Sequence, residues 1–146
     1  MAESASEKIR IEAPPSRCYE VALDFERYPE WAKDVKQVTV LERDDENRGS
    51  RVEYRAAAMG KSVRYVLDYD YSEAPAAFSW KLVEGDMLRQ LDGRYGFEAD
   101  GAGTRVSYEL TADLSMPLPG FMKRRAAGMI ISTALKELKR EAERAS

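Results

Sequence analysis

The pattern that most constrains this chain is a single change of period. From Val35 to Leu114 apolar and polar residues alternate, and from Phe121 to Arg144 the apolar residues recur at helical spacing with no proline between them. A strand buries every second residue, whereas a helix buries one stripe at i, i+3, i+4 and i+7. A chain that switches once, near its end, therefore builds a series of strands and then lays one helix on them, an α+β arrangement.

The strand series is punctuated by turn residues. Val35 to Arg43 reads as the first of the run, and Asp44 to Gly49 is a polar turn. Val52, Tyr54 and Ala56 share a face up to Gly60, and Val63, Tyr65, Leu67, Tyr69 and Tyr71 continue the alternation. After Ser72 to Ala76 come Phe78, Trp80 and Leu82, then Gly85-Asp86, then Leu91, Gly93, Tyr95 and Phe97. Asp100-Gly101 is a strong hairpin signal before Val106, Tyr108, Leu110, Ala112 and Leu114. Six strands in series predict an antiparallel meander, and alternation over Glu7 to Ala13 adds a seventh at the start. Pro14 and Pro15 end that first strand and suit the first turn of a short helix, whose face Cys18, Val21, Ala22 and Phe25 follows. A second short helical turn is expected around Tyr28 to Lys33. The final helix carries Ala127, Ile131, Ala134, Leu135, Leu138 and Ala142 as its stripe. At 1.5 Å per residue it spans about 36 Å, enough to cross a sheet. Its last third, Lys136 to Arg144, is charged apart from the stripe and is expected to project into water.

Residues 1–146 are expected to form one domain, with residues 1–6 as a flexible tail, because the length suits a single core. Composition then removes functions. There is no histidine, hence no Ser-His or Cys-His dyad and none of the commonest transition-metal ligand. The net charge of −3, with both signs spread along the chain, argues against nucleic acid as a partner. No metal spacing, nucleotide fingerprint or phosphate loop appears, so no cofactor is expected. The first residues, Met1 to Glu7, lack the basic and apolar regions of a secretory signal, and a cytoplasmic location is expected. Cys18, the one cysteine, sits on an apolar helix face without a base and reads as a structural thiol.

The inner faces carry Tyr54, Tyr65, Tyr69, Trp80, Tyr95, Phe97 and Tyr108. Any one of them is ordinary core material, but a set of phenols and an indole on one face needs hydrogen-bond partners when buried. Water, a ligand or the groups themselves must supply them. Gly93, in mid-strand, removes a side chain where a bend or a close approach would use the space.

Several local motifs, in their order, resemble the START-like superfamily, in particular its polyketide cyclase/dehydrase and coenzyme-Q-binding branch. They are Ala13-Pro14-Pro15, the run from Asp24 to Trp31, the string from Leu91 to Phe97 followed by Gly103-Thr104-Arg105-Val106, and Pro117-Leu118-Pro119-Gly120. The resemblance implies a helix-grip fold: a curved seven-stranded antiparallel sheet, two short helices, and a long C-terminal helix closing an apolar cavity. It also implies a family of lipid carriers, cofactor chaperones and aromatic-ring-forming cyclases, so the fold leaves the activity open. Tyr28 and Trp31 match the family's motif at one end of the cavity, where they either pack the small helices or gate the entrance.

The expected ligand site comprises Tyr28, Trp31, Tyr54, Tyr65, Tyr69, Trp80, Tyr95, Phe97 and Tyr108, with Met122 and Met129 from the long helix. Two functional classes stand side by side. One is binding or transport of a small hydrophobic, lipid-like or polycyclic ligand. The other is a polyketide cyclase, aromatase or dehydratase, for which Arg89, sharing the parity of Leu91 and Tyr95, is the catalytic candidate. Arg64 shares the parity of Asp68 and Asp70 and is expected in an outer charge ladder. An inward arginine or carboxylate would favour chemistry, and a dry aromatic interior would favour carriage. Met116, Leu118 and Phe121 beside Lys123-Arg124-Arg125 also suggest transient contact with an anionic membrane.

Overall fold

The computed structural model describes residues 2–58, 60–115 and 117–144, so Met116 lies outside the described residues. Its strands are β1 (Glu3–Ile11), β2 (Val35–Arg43), β3 (Gly49–Ala58), β4 (Lys61–Asp70), β5 (Ala77–Gly85), β6 (Leu88–Asp100) and β7 (Gly103–Leu114). They form one seven-stranded sheet in the order β1-β7-β6-β5-β4-β3-β2, every neighbouring pair antiparallel. The helices are α1 (Pro15–Leu23), a single 3₁₀ turn at Phe25–Arg27, α2 (Tyr28–Trp31) and α3 (Gly120–Arg144). This is the helix-grip arrangement.

The expected tail is instead the start of β1. Glu3 to Ser6 pair with Ala112 to Glu109, and the Ser4 hydroxyl meets that of Thr111 at 2.9 Å. Ser, Ala and Glu are weak strand formers, so local sequence carries no signal here. The ladder offered by β7 orders them.

Pro14 caps α1 with extended backbone, and its carbonyl accepts the amides of Arg17 and Cys18 at 3.0 and 3.2 Å. Pro15 at the first helical position loses nothing, since that amide has no partner in any helix. α3 packs on β1, β7 and α1. Ile131, Leu135, Leu138 and Ala142 meet Ile11, Cys18, Val106 and Leu110 in one core. Cys18 is fully buried and desolvation pushes its thiol up, which leaves it without a reactive thiolate. The charged end of α3 departs from expectation: Glu137 and Glu141 are both buried. The reason is a second contact surface. α1 and α2 lie beside α3, with Arg17 donating to the carbonyls of Glu141 and Ala142 and the Lys33 amide donating to the Glu137 carboxylate.

Ion pairs on the outer face of the sheet keep the strands in register. Arg64 pairs with Glu53 at 2.7 Å and Glu84 at 2.9 Å, and Arg51 forks onto Asp68 at 2.7 and 3.0 Å. Exposed pairs of this kind add little stability each.

Candidate functional site

The inward parities converge on one aromatic interior. Phe78, with 1% of its surface exposed, is the hub: its ring lies 5.6–6.2 Å from those of Tyr19, Tyr69, Tyr71, Trp80, Tyr95 and Phe97. Tyr54 stacks on Tyr65 at 5.2 Å, and Tyr95 meets Tyr108 edge-on at 4.6 Å. Trp80 bridges Tyr69, Tyr95 and Tyr108 at 5.9, 5.5 and 5.5 Å. Gly93 makes that bridge possible. A Cβ built there would sit 2.3 Å from Trp80 Cζ2, so the close approach is by the indole. From the helical side, Tyr28 joins Tyr54 at 6.3 Å and Trp31 at 5.0 Å.

Some hydroxyls of this interior are satisfied within the protein. Tyr28 donates to the Ala22 carbonyl, Tyr71 to the Gly49 carbonyl at 2.6 Å, and Tyr54 and Tyr69 pair with each other at 2.5 Å. Tyr65, Tyr95 and Tyr108 have no hydrogen-bonding side chain or carbonyl among the described residues. Yet no fully inaccessible side-chain oxygen there lacks a partner. Those three hydroxyls therefore reach accessible space. Burial pushes the Tyr28, Tyr54, Tyr69, Tyr95 and Tyr108 phenols well above their ordinary range and that of Tyr65 up to about 12, so all stay protonated near neutral pH.

Three expected positions fall elsewhere. Met129 is 60% exposed on the side of α3 away from Ile131 and Leu135, and Met122 is only half-buried. The helix turns 100° per residue, so the broad apolar stripe near its start could not all face the sheet. Arg89 is exposed at a register shift between Leu88 and Gln90. This bulge reverses the parity: Leu88, not Arg89, packs against the core. The interior thus has no inward arginine among the candidates.

One carboxylate that the sequence reading sent to water is buried where α3 meets the segment after α2. Glu137 is 7% exposed, its Oε2 accepts the Lys33 amide at 3.1 Å, and its charge adds to the rise at Tyr95. Tyr19, edge-on to Phe97 at 5.9 Å, was also missed. Adjacent Cys18 and Tyr19 are about 100° apart on the helix, and both are covered because α1 sits in the mouth of a curved sheet. Two clefts open elsewhere. One is a groove of about 640 Å³ on the outer face, lined by Ser6, Ser79, Lys81, Asp92, Arg94 and Glu109 among others, and the other a small pocket of about 130 Å³ between α1, α2 and α3. Among the described residues no cluster of metal-ligating side chains occurs.

Comparison with known proteins assigns the family. Residues 2–143 match the model of "Polyketide cyclase / dehydrase and lipid transport". The chain belongs to this family. Solved structures agree in fold. A START superfamily protein from Mycobacterium smegmatis superposes with a TM-score of 0.91 at 22% identity, over 98% of this chain and 99% of that one. A protein from Thermus thermophilus does so at 0.83 and 28% identity, over 98% and 99%. The Zhui aromatase/cyclase from Streptomyces sp. R1128 does so at 0.83 and 15% identity, over 99% and 95%. No curated protein matches the chain. The family is thus the polyketide cyclase/dehydrase and lipid-transport one, the solved neighbours share its fold, and among the described residues no helix is long and apolar enough to cross a membrane.

Proposed function

We propose that this family member binds and carries a small, apolar, ring-bearing molecule between the concave face of the sheet and α3. The observation that carries the reading is the set of three tyrosine hydroxyls, on β4, β6 and β7, that reach accessible space from an otherwise aromatic wall. Apolar walls with a few converging polar groups bind by burial and orient by hydrogen bonding. Tyr28, Trp31, Tyr54, Tyr65, Tyr69, Trp80, Tyr95, Phe97 and Tyr108 are its proposed lining. Solvent extraction of the purified protein followed by mass spectrometry is expected to return such a molecule. Repeated recovery of none would count against constitutive carriage.

The cyclase, aromatase or dehydratase reading has one observation in its favour, the buried Glu137 carboxylate. Against it, the phenols are pushed away from neutrality, and Arg89 stands outside. Turnover of a poly-β-keto thioester would replace carriage with this reading.

The start of α3 favours a further partner, an anionic bilayer. Phe121 and Met129 are 62% and 60% exposed, and Lys123, Arg124 and Arg125 stand in the first turns of the helix. Cations there oppose the helix dipole, so local helix energetics do not account for them. No acidic residue lies between Asp113 and Glu137. Flotation with vesicles of phosphatidylcholine and phosphatidylserine at low salt is expected to carry the protein, and neutralising the three charges to glutamine should weaken binding about a hundredfold, at about 1 kcal/mol per basic residue. Equal binding to pure phosphatidylcholine would end the proposal.

A further inference from the structure

Three connections meet at one end of the sheet. The β3–β4 hairpin closes between Ala58 and Lys61, the β5–β6 turn joins Gly85 to Leu88, and β7 leaves the sheet at Leu114 on its way to α3. Backbone bonds tie them in sequence: the Asp86 amide donates to the Arg64 carbonyl at 2.8 Å, and the Ser115 amide to that of Met87 at 3.0 Å. Lys61 to Val63 and their partners Ala58 to Ala56 overhang the β5–β6 turn, by about 10 Å at 3.3 Å per residue. The hairpin therefore projects beyond its neighbours in the sheet.

This end carries Lys61, Arg89, Lys123, Arg124 and Arg125, and among the described residues none of them is paired with a carboxylate. Most other arginines are spent on carboxylates, Arg48, Arg51, Arg64 and Arg94 among them. Of the acids here, Glu84 pairs with Arg64, Asp86 accepts the Arg64 amide at 3.2 Å, and Asp113 is half-buried. The connections at the opposite end hold Glu12, Asp44, Asp45, Glu46 and Glu73, with Arg48 as their one base. A chain of net charge −3 thus has a cationic pole, which an anionic surface attracts while repelling the other. Apolar groups stand at the same end. Phe121 is 62% exposed and Val83, just before the β5–β6 turn, 44%. Met87 holds a φ of 57°, which side chains rarely adopt, yet it is only half-buried, so core packing does not account for it. Neither cleft of the molecule is lined by a residue of this end. A protein partner needs a shaped patch of about 800 Å², whereas a bilayer needs only cations and apolar tips.

We infer that the β3–β4 hairpin, the β5–β6 turn and the first turns of α3 form one docking face, which sets the protein end-on against an anionic bilayer. The inference rests on the bilayer reading above and extends it from α3 to two connections of the sheet. A contact made by α3 alone leaves Lys61 and Arg89 without a role.

Flotation with vesicles of phosphatidylcholine and phosphatidylserine in equal parts tests this on paired variants. In Lys61→Gln/Arg89→Gln, binding is expected to weaken about thirtyfold, the same cost per cation as on α3. Lys8→Gln/Lys81→Gln removes as much charge from the outer face of the sheet. It should weaken binding no more than about threefold, because charges beyond about 10 Å are screened at about 0.1 M salt. All four side chains are exposed, so neither pair disturbs the core. A second readout uses position. Cys18 is fully buried, so an environment-sensitive thiol dye reports on an introduced cysteine alone. On Ser62→Cys, in the hairpin, its emission should shift to the blue with these vesicles, and on Ala76→Cys, at the opposite end, it should not. Unchanged binding of Lys61→Gln/Arg89→Gln, equal losses in the two pairs, or an equal shift at both dye positions would overturn the inference and leave contact through α3 standing. An unmodified protein that ignores the vesicles, whether or not it binds polyglutamate as a stand-in for an acidic protein, would remove the bilayer reading and the inference with it.

Discussion

Raising the pH from about 10 to about 12, around the ordinary tyrosine pKa, is expected to unfold the protein in one cooperative step, with tyrosinate absorbance appearing together with the loss of sheet structure. Burial raises the pKa of Tyr28, Tyr54, Tyr69, Tyr95 and Tyr108 well above that ordinary value, and that of Tyr65 to about 12. Between the unfolded and folded values the native chain keeps its phenolic protons while the unfolded chain releases them, so stability falls as pH rises. The contribution is intact below about pH 10 and is lost above it. Each such tyrosine removes about 1.4 kcal/mol per pH unit, so these six together remove about 8 kcal/mol per unit. A domain stabilised by about 5–15 kcal/mol does not survive much beyond one unit of that slope. The midpoint should lie near pH 11, at roughly one unit above the reference value. Tyrosines that ionise near pH 10, about their solution value, with the sheet intact would show that the interior is wet and the phenols solvated.

The second large effect concerns one methyl group. Gly93→Ala places a Cβ 2.3 and 2.6 Å from two atoms of the Trp80 indole and 3.0 Å from the Glu109 carbonyl oxygen. Neither neighbour can yield. The indole is wedged among Tyr69, Phe78, Tyr95 and Tyr108, and the carbonyl belongs to β7. Strand propensity alone would favour alanine over glycine by about 0.5–1 kcal/mol. Overpacking of this severity costs about 2–3 kcal/mol and should win. The net loss of about 1–2.5 kcal/mol should lower the melting temperature by roughly 3–8 °C for a chain of this size. Adding Trp80→Phe, which removes the clashing ring atoms, should restore part of the loss, a coupling that a double-mutant cycle measures directly. A neutral or stabilising Gly93→Ala would mean that the indole does not lie across the glycine.

Both effects depend on features read with unequal ease from the chain. Alternation placed Tyr54, Tyr65, Tyr69, Trp80, Tyr95 and Tyr108 on one face because a pleated strand offers no other choice. It failed at Arg89, where the bulge after Leu88 inserts a residue and turns Leu88, not Arg89, to the core. A bulge is a property of two paired strands, and neither strand alone announces it. Helical periodicity likewise found Ile131, Leu135 and Leu138, but Met129 was included from an apolar stretch wider than one face.

The order and type of nearly all the elements follow from residue spacing, since burying one face of a strand or helix is a local demand written at a period of two or 3.6. Where those elements meet is a different kind of fact. That α2 lies beside the end of α3, so that Lys33 donates to a buried Glu137 and a charged helix tail acquires an inner side, depends on residues 104 positions apart along the chain. No local pattern contains that separation, because desolvation of a charge is set by what packs around it from the rest of the fold.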